Sequence, residues 1–166
     1  MKDQAMNMQE YLRRQSLQRE QEKQQQKYDK QQEERRRKDE EAIKAMLPSV
    51  FAKLRIEIEK AVHEFNAQNP ESAITLQSEP NLWVARRTFE GVPRALEAVL
   101  DSAHNGIYCK VDSGCSRRLS LTRSDIGNIY FQVENEKKTL SIDRLDCVAF
   151  HLLELILTEP VLAPSA

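Results

Sequence analysis

Between Gln18 and Glu41 the chain reads QREQEKQQQKYDKQQEERRRKDEE, with no aliphatic residue, one aromatic residue, and eight basic side chains against eight acidic ones. Burial of apolar surface is what offsets the entropy lost on folding, so a stretch with almost nothing to bury cannot join a core. Its composition still permits helix. Gln, Glu, Lys and Arg are good helix formers, and neither Gly nor Pro occurs before Pro48. Opposite charges four apart, at Glu33 and Arg37, Glu34 and Lys38, and Arg37 and Glu41, add about 0.2 to 0.5 kcal/mol per pair. A coiled coil fails over this stretch, because heptads need an apolar residue every three or four positions and only Tyr28 qualifies between Leu17 and Ala42. Residues 1–47 are therefore expected to form a polar, charged arm, helical or partly disordered, that gains order towards its C-terminal end.

The remaining chain carries the apolar patterns. Pro48 lacks a backbone donor and marks an expected kink or boundary. Beyond it Val50, Phe51, Leu54, Ile58, Ala61, Val62 and Phe65 continue from Leu47 at steps of three and four, one apolar helical face that should end near residues 66–69, ahead of Pro70. From residue 73 the period becomes two, through Ile74 and Leu76, Leu82 and Val84, Ile107, Cys109 and Val111, Leu119 and Leu121, and Ile129, Phe131 and Val133. Turn residues separate these runs, which predicts an antiparallel meander. Residues 93–104 suit either state; the strand reading places Leu96, Ala98 and Leu100 inward. A three-residue loop at Asp112, Ser113 and Gly114 pairs Val111 with Cys115, Cys109 with Arg117 and Ile107 with Leu119. Ser141 can cap a final helix over 142–157, with Leu140 and Leu145 as a hydrophobic staple. The expected fold is a two-layer α+β domain over 48–158: a meander of about five or six strands, both helices on one face, then a flexible tail at 159–166.

Charge and cysteine usage narrow the function classes. A formal net charge of -1, balanced in both parts of the chain, leaves no global footprint for nucleic acid. The first ten residues, MKDQAMNMQE, lack the apolar run of a secretory signal, and Val148 to Leu157 is about half of the roughly 20 residues needed to cross a bilayer. The chain is expected to be cytoplasmic, with no membrane partner. In that compartment the three cysteines are expected to be reduced, and the hairpin register places Cys109 and Cys115 diagonally, poorly set for a disulfide.

No catalytic constellation stands out. Cys115 and His104 would need to meet as nucleophile and base, yet the hairpin puts them at opposite ends of one strand, on the order of 20 Å apart. Asp143, Cys147, His151 and Glu154 line one side of the last helix, but ligands spread over three turns cannot converge on one ion. Arg35, Arg36, Arg37 and Lys38 are flanked by acids that neutralise them within a Debye length. No catalytic residue, metal or cofactor is expected.

Two surfaces remain. In the last helix Ile142, Leu145, Val148, Ala149, Leu152 and Ile156 form one apolar face, and Phe150, Leu153, Leu155 and Leu157 widen it beyond a single stripe. That surplus points to a deep groove in the fold or to contact with a second copy. On the sheet, Trp83, Arg87, Tyr108, Lys110, Arg118 and Tyr130 are expected to point outward together, a cationic and aromatic face of the kind that stacks bases. The leading expectation is a non-enzymatic interaction module that forms a homodimer or meets a protein partner through the last helix. A small hydrophobic ligand held between the sheet and that helix is the second, and a single-stranded nucleic acid on the outer sheet face is the third.

Overall fold

A computed structural model describes residues 2–112, 114 and 116–157. Helix α1 spans Lys2–Gln68. Contacts divide the chain into two compact units, one up to Glu41 and the other from Ala42 onward.

In the first unit the described side chains of α1 are almost all exposed, as the stretch from Gln18 to Glu41, with no aliphatic residue, leads one to expect for its own part. Its ion pairs run along the helix surface: Glu10 with Arg14 at 2.7 Å, Glu34 with Lys38 at 2.9 Å, and Arg37 with Glu41 at 3.6 Å. Glu33 pairs with Arg36 at 3.0 Å rather than with Arg37. Met8, Tyr11, Leu12 and Leu17 are exposed on the same segment.

The second unit opens on the buried face of α1. Ile43, Leu47, Val50, Phe51, Leu54, Ile58 and Val62 recur at helical spacing and are all buried. The helix continues through Pro48, where the sequence suggested a kink or boundary. The missing donor falls on the Lys44 carbonyl, and both Lys44 and Pro48 are exposed, so water can take over that bond. The helix ends at Gln68, followed by a one-turn 3-10 helix at Pro70–Ser72. Asn66 then ties the chain down, its Nδ2 donating to the Ile74 carbonyl at 2.8 Å while its Oδ1 accepts from the Ile74 N–H at 2.7 Å.

Seven strands follow in one antiparallel sheet, ordered as in the sequence: β1 Thr75–Glu79, β2 Leu82–Phe89, β3 Val92–Asp101, β4 Gly106–Val111, β5 Ser116–Arg123, β6 Ile129–Val133 and β7 Thr139–Ser141. The α+β class and the meander agree with expectation. The strand count exceeds it because a three-residue edge strand, β7, precedes the last helix. Residues 92–101 are strand, with Leu96 and Ala98 fully buried. Pairing with both β2 and β4 outweighs the local helix preference of the alanines and leucines there. In the β4–β5 hairpin Ile107 pairs with Leu119 and Cys109 with Arg117, in the anticipated register. The expected Val111 to Cys115 pair, the question of a disulfide at Cys115 and the tail at 159–166 lie outside the described residues.

One strand is turned over. Leu82 and Val84 were expected inward, but Trp83 and Ala85 are the residues in the core. Glu90 and Gly91, with φ of 50° and 79°, form a two-residue turn that pairs Phe89 with Val92 and hence Ala85 with Leu96 and Trp83 with Ala98. A one-residue change of register reverses every side chain, and this turn leaves no freedom. Trp83 gains room because its neighbours across the strands are the small Ser78 and Ala98. The inner face of the sheet, α1 from Ile43 onward, and helix α2 (Leu145–Leu157) close over one core that includes Phe51, Trp83, Leu96, Ile107, Phe131 and Leu152. No described helix is long and apolar enough to cross a membrane.

Candidate functional site

Helix α2 is entered through a short sequence of local signals. The Ser141 hydroxyl accepts from the Asp143 N–H at 3.2 Å, a 3-10 turn spans Ile142–Arg144, and α2 continues from Leu145. Arg144 grips Asp146 with two hydrogen bonds of 3.0 and 2.9 Å. This contact lowers the Asp146 carboxyl to about 2.

The surplus apolar residues of α2 divide sharply. Leu153 is 2 % exposed and belongs to the protein's own core, while Leu155 and Leu157 are half-buried against it. Only Phe150, at 61 % exposed, remains as a large apolar side chain on the outer side. The expected four-residue interface is thus reduced to Phe150. The physical reason is that α2 sits deep enough against the sheet and α1 to bury residues on most of its circumference. The space between sheet and α2, considered for an apolar ligand, is filled by Trp83, Leu96, Leu152, Leu153 and Ile156.

Beside Phe150 lies a cleft of about 450 Å³ lined by Lys138, Leu140, Cys147, His151 and Glu154. His151 is 6 % exposed. Lys138 Nζ approaches its Nδ1 at 3.1 Å and Arg117 Nη1 its Nε2 at 3.5 Å. Arg117 also pairs with Glu136 at 3.2 Å, and Glu154 Oε2 stands 4.0 Å from Nδ1. Burial, and after it the charges of Lys138 and Arg117, hold the imidazole pKa below its ordinary value, against the weaker pull of Glu136 and Glu154. The ring is therefore neutral at neutral pH.

Among the described residues no three His, Cys, Asp or Glu side chains are placed to share an ion. Asp143 lies apart from His151, in a second cleft of about 390 Å³ with Lys53, Ile56 and Leu145. Cys147 is an exposed thiol, whereas complete burial pushes the Cys109 thiol up to about 12. The suggested partner of His104, Cys115, lies outside the described residues, and the His104 ring is held by Asp101 at 2.8 Å.

The outer sheet face loses two of its six expected members. Trp83 is fully buried, and Arg87 is 9 % exposed on the inner side. Arg87 closes the far end of the domain: its guanidinium donates to the Leu157 carbonyl at 3.2 Å and the Ser72 hydroxyl at 3.3 Å, and lies 5.0 Å over the Phe65 ring. Register keeps Tyr108, Lys110, Arg118 and Tyr130 on the outer face. Arg118 is engaged there by Asp101 at 3.3 Å and Glu134 at 3.8 Å, and Lys110 stands across from Glu97. These acids offset the charges of Arg118 and Lys110 on that face. Arg36, Arg37 and Lys38 of the basic run are likewise paired with neighbouring glutamates. The signal that reading the sequence by alternation missed was the Glu90-Gly91 turn, which sets the parity of β2. No family model matches the chain, and no curated protein or solved structure shows significant similarity to it.

Proposed function

We propose that this protein is a non-enzymatic interaction module that self-associates through the outer side of α2. The observation that carries the reading is Phe150, left 61 % exposed on a helix whose other large apolar residues are buried or half-buried. An exposed aromatic beside a partly apolar cleft is the kind of surface that a protein partner covers. A second copy is the partner this surface fits, because its charges complement themselves. Lys138 and Glu154 both line the cleft beside Phe150. A two-fold axis near Phe150 brings the cation of one copy towards the acid of the other.

Native mass spectrometry and light scattering over a range of protein concentrations test this. A concentration-dependent dimer that Phe150→Asp converts to a folded monomer is expected. A wild-type protein that stays monomeric throughout overturns the reading. Leu153→Asp is unsuitable as the test, since Leu153 lies in the core and its replacement reports folding instead.

A further inference from the structure

His151 of α2 meets two other elements: Lys138 of the β6–β7 turn lies 3.1 Å from Nδ1, and Arg117 of β5 lies 3.5 Å from Nε2. A neutral imidazole has one N–H and one lone pair. The shorter contact assigns the lone pair to Nδ1, accepting from the Lys138 ammonium, and leaves the Nε2 hydrogen towards Arg117. Arg117 has only donors, so in this tautomer it makes no hydrogen bond to Nε2 at 3.5 Å and is held instead by Glu136 at 3.2 Å. The turn that brings Lys138 into place is anchored at its base, by the Val133 N–H to the Lys138 carbonyl at 3.1 Å, the Glu134 N–H to the Arg118 carbonyl at 2.8 Å, the Glu136 N–H to the Val133 carbonyl at 3.2 Å, and Gln132 Nε2 to the Glu136 carbonyl at 2.9 Å and the Lys138 carbonyl at 3.4 Å.

A second proton on the ring removes the acceptor for Lys138 and adds a third positive charge beside Lys138 and Arg117. The ring is 6 % exposed, whereas Lys138 is exposed and the Arg117 side chain 34 % exposed, so solvent reaches the two cations and the cost of the added charge falls on the desolvated ring. The acids facing the ring are Glu136 from the turn, already bound to Arg117, and Glu154 from α2 at 4.0 Å. Cys147 and Asp146 also line the cleft from α2, and Asp146 is bound to Arg144.

We propose that His151 is an acid-sensitive latch: neutral, it holds the β6–β7 turn against the middle of α2, and on protonation it expels Lys138 and releases that turn. The folded-state pKa lies below the ordinary 6.5, so the native state binds fewer protons than the unfolded one as pH falls past that value. The stability supplied by the latch is complete above 6.5 and is lost as pH drops through the folded-state pKa. The turn borders the cleft beside Phe150, so its release also disturbs the self-associating surface; this consequence alone rests on the function proposed above.

Amide hydrogen exchange read by mass spectrometry on the full chain, between about pH 7.5 and about pH 5 and corrected for intrinsic rates, tests the latch. Protection at residues 134–138 and 147–154 should fall about tenfold on acidification, while strands β2 to β4 keep theirs. His151→Gln, which can accept from Lys138 but does not titrate, should remain closed throughout. Lys138→Met should raise the His151 titration midpoint seen by NMR and abolish the acid dependence of the opening, a combination that general acid unfolding does not produce. No local loss in the wild type, or the same loss in Lys138→Met, overturns the latch. Native mass spectra recorded alongside separate the two claims. Opening without a change of mass keeps the latch and rejects its link to association, and a monomer at every pH rejects self-association while the exchange data still decide the latch.

Discussion

Replacing Arg87 by Ala should be among the most damaging single changes outside the aliphatic core. Arg87 is 9 % exposed, and its guanidinium donates to the Leu157 carbonyl and the Ser72 hydroxyl and stacks on Phe65. A hydrogen bond from a charged donor is worth about 1.5 to 3 kcal/mol net, and a desolvated cation on an aromatic ring about 1 to 2. Truncation also unpacks the aliphatic stem. These contributions overlap, and removing the buried charge returns part of its desolvation cost, so the expected loss is about 2 to 4 kcal/mol. Trp83 is the sole tryptophan and fully buried, which makes its fluorescence the natural probe of urea unfolding. With a denaturant slope of about 2 kcal/mol per molar, the midpoint should fall by about 1 to 2 M at unchanged slope. Arg87→Met restores the stem without the donor and should recover only part of the loss. A shift below about 0.5 kcal/mol for Arg87→Ala would refute the clamp, and full recovery by Met would show that packing alone accounts for it.

Two backbone positions offer independent checks. Pro48→Ala should stabilise the second unit by about 1 to 3 kcal/mol, since it restores an N–H to the Lys44 carbonyl in a helix that already runs through the position; an unchanged urea midpoint would contradict an unbroken helix there. Gly106→Ala should destabilise by about 1 to 3 kcal/mol or prevent folding, because an added Cβ would lie 2.2 Å from the Leu119 carbonyl oxygen across the β4–β5 hairpin. A midpoint equal to wild type would show that the two strands are farther apart than described.

Much of this molecule is readable without coordinates because its local signals are unambiguous. A stretch with no aliphatic residue could only be a solvated arm, and the three-and-four spacing from Leu47 to Phe65 could only be a helix with one buried face. The DSG turn had one register that kept the apolar residues of β4 and β5 together, and that register is the one formed. In β2 the pattern itself was divided. Leu82 and Val84 carry the aliphatic alternation, Trp83 and Ala85 carry the other parity, and the choice falls to the Glu90-Gly91 turn and to the space opposite Trp83. The candidate interface depended still more on long-range packing. Leu153 and Phe150 look alike as apolar positions in LDCVAFHLLELIL, and only the depth at which α2 sits separates a core residue from an exposed one.

By itself, then, the sequence determined what depends on neighbours along the chain: the polar arm, the helical stripe, and the alternation of the strands and their turns. Tertiary structure decided which parity of β2 faces inward, that Arg87 closes the end of α2, and that Lys138, Arg117 and His151 meet. The side chains of that last group come from positions 117, 138 and 151, and no local propensity links them; their meeting follows from the order and register of β5, β6 and β7 beneath α2.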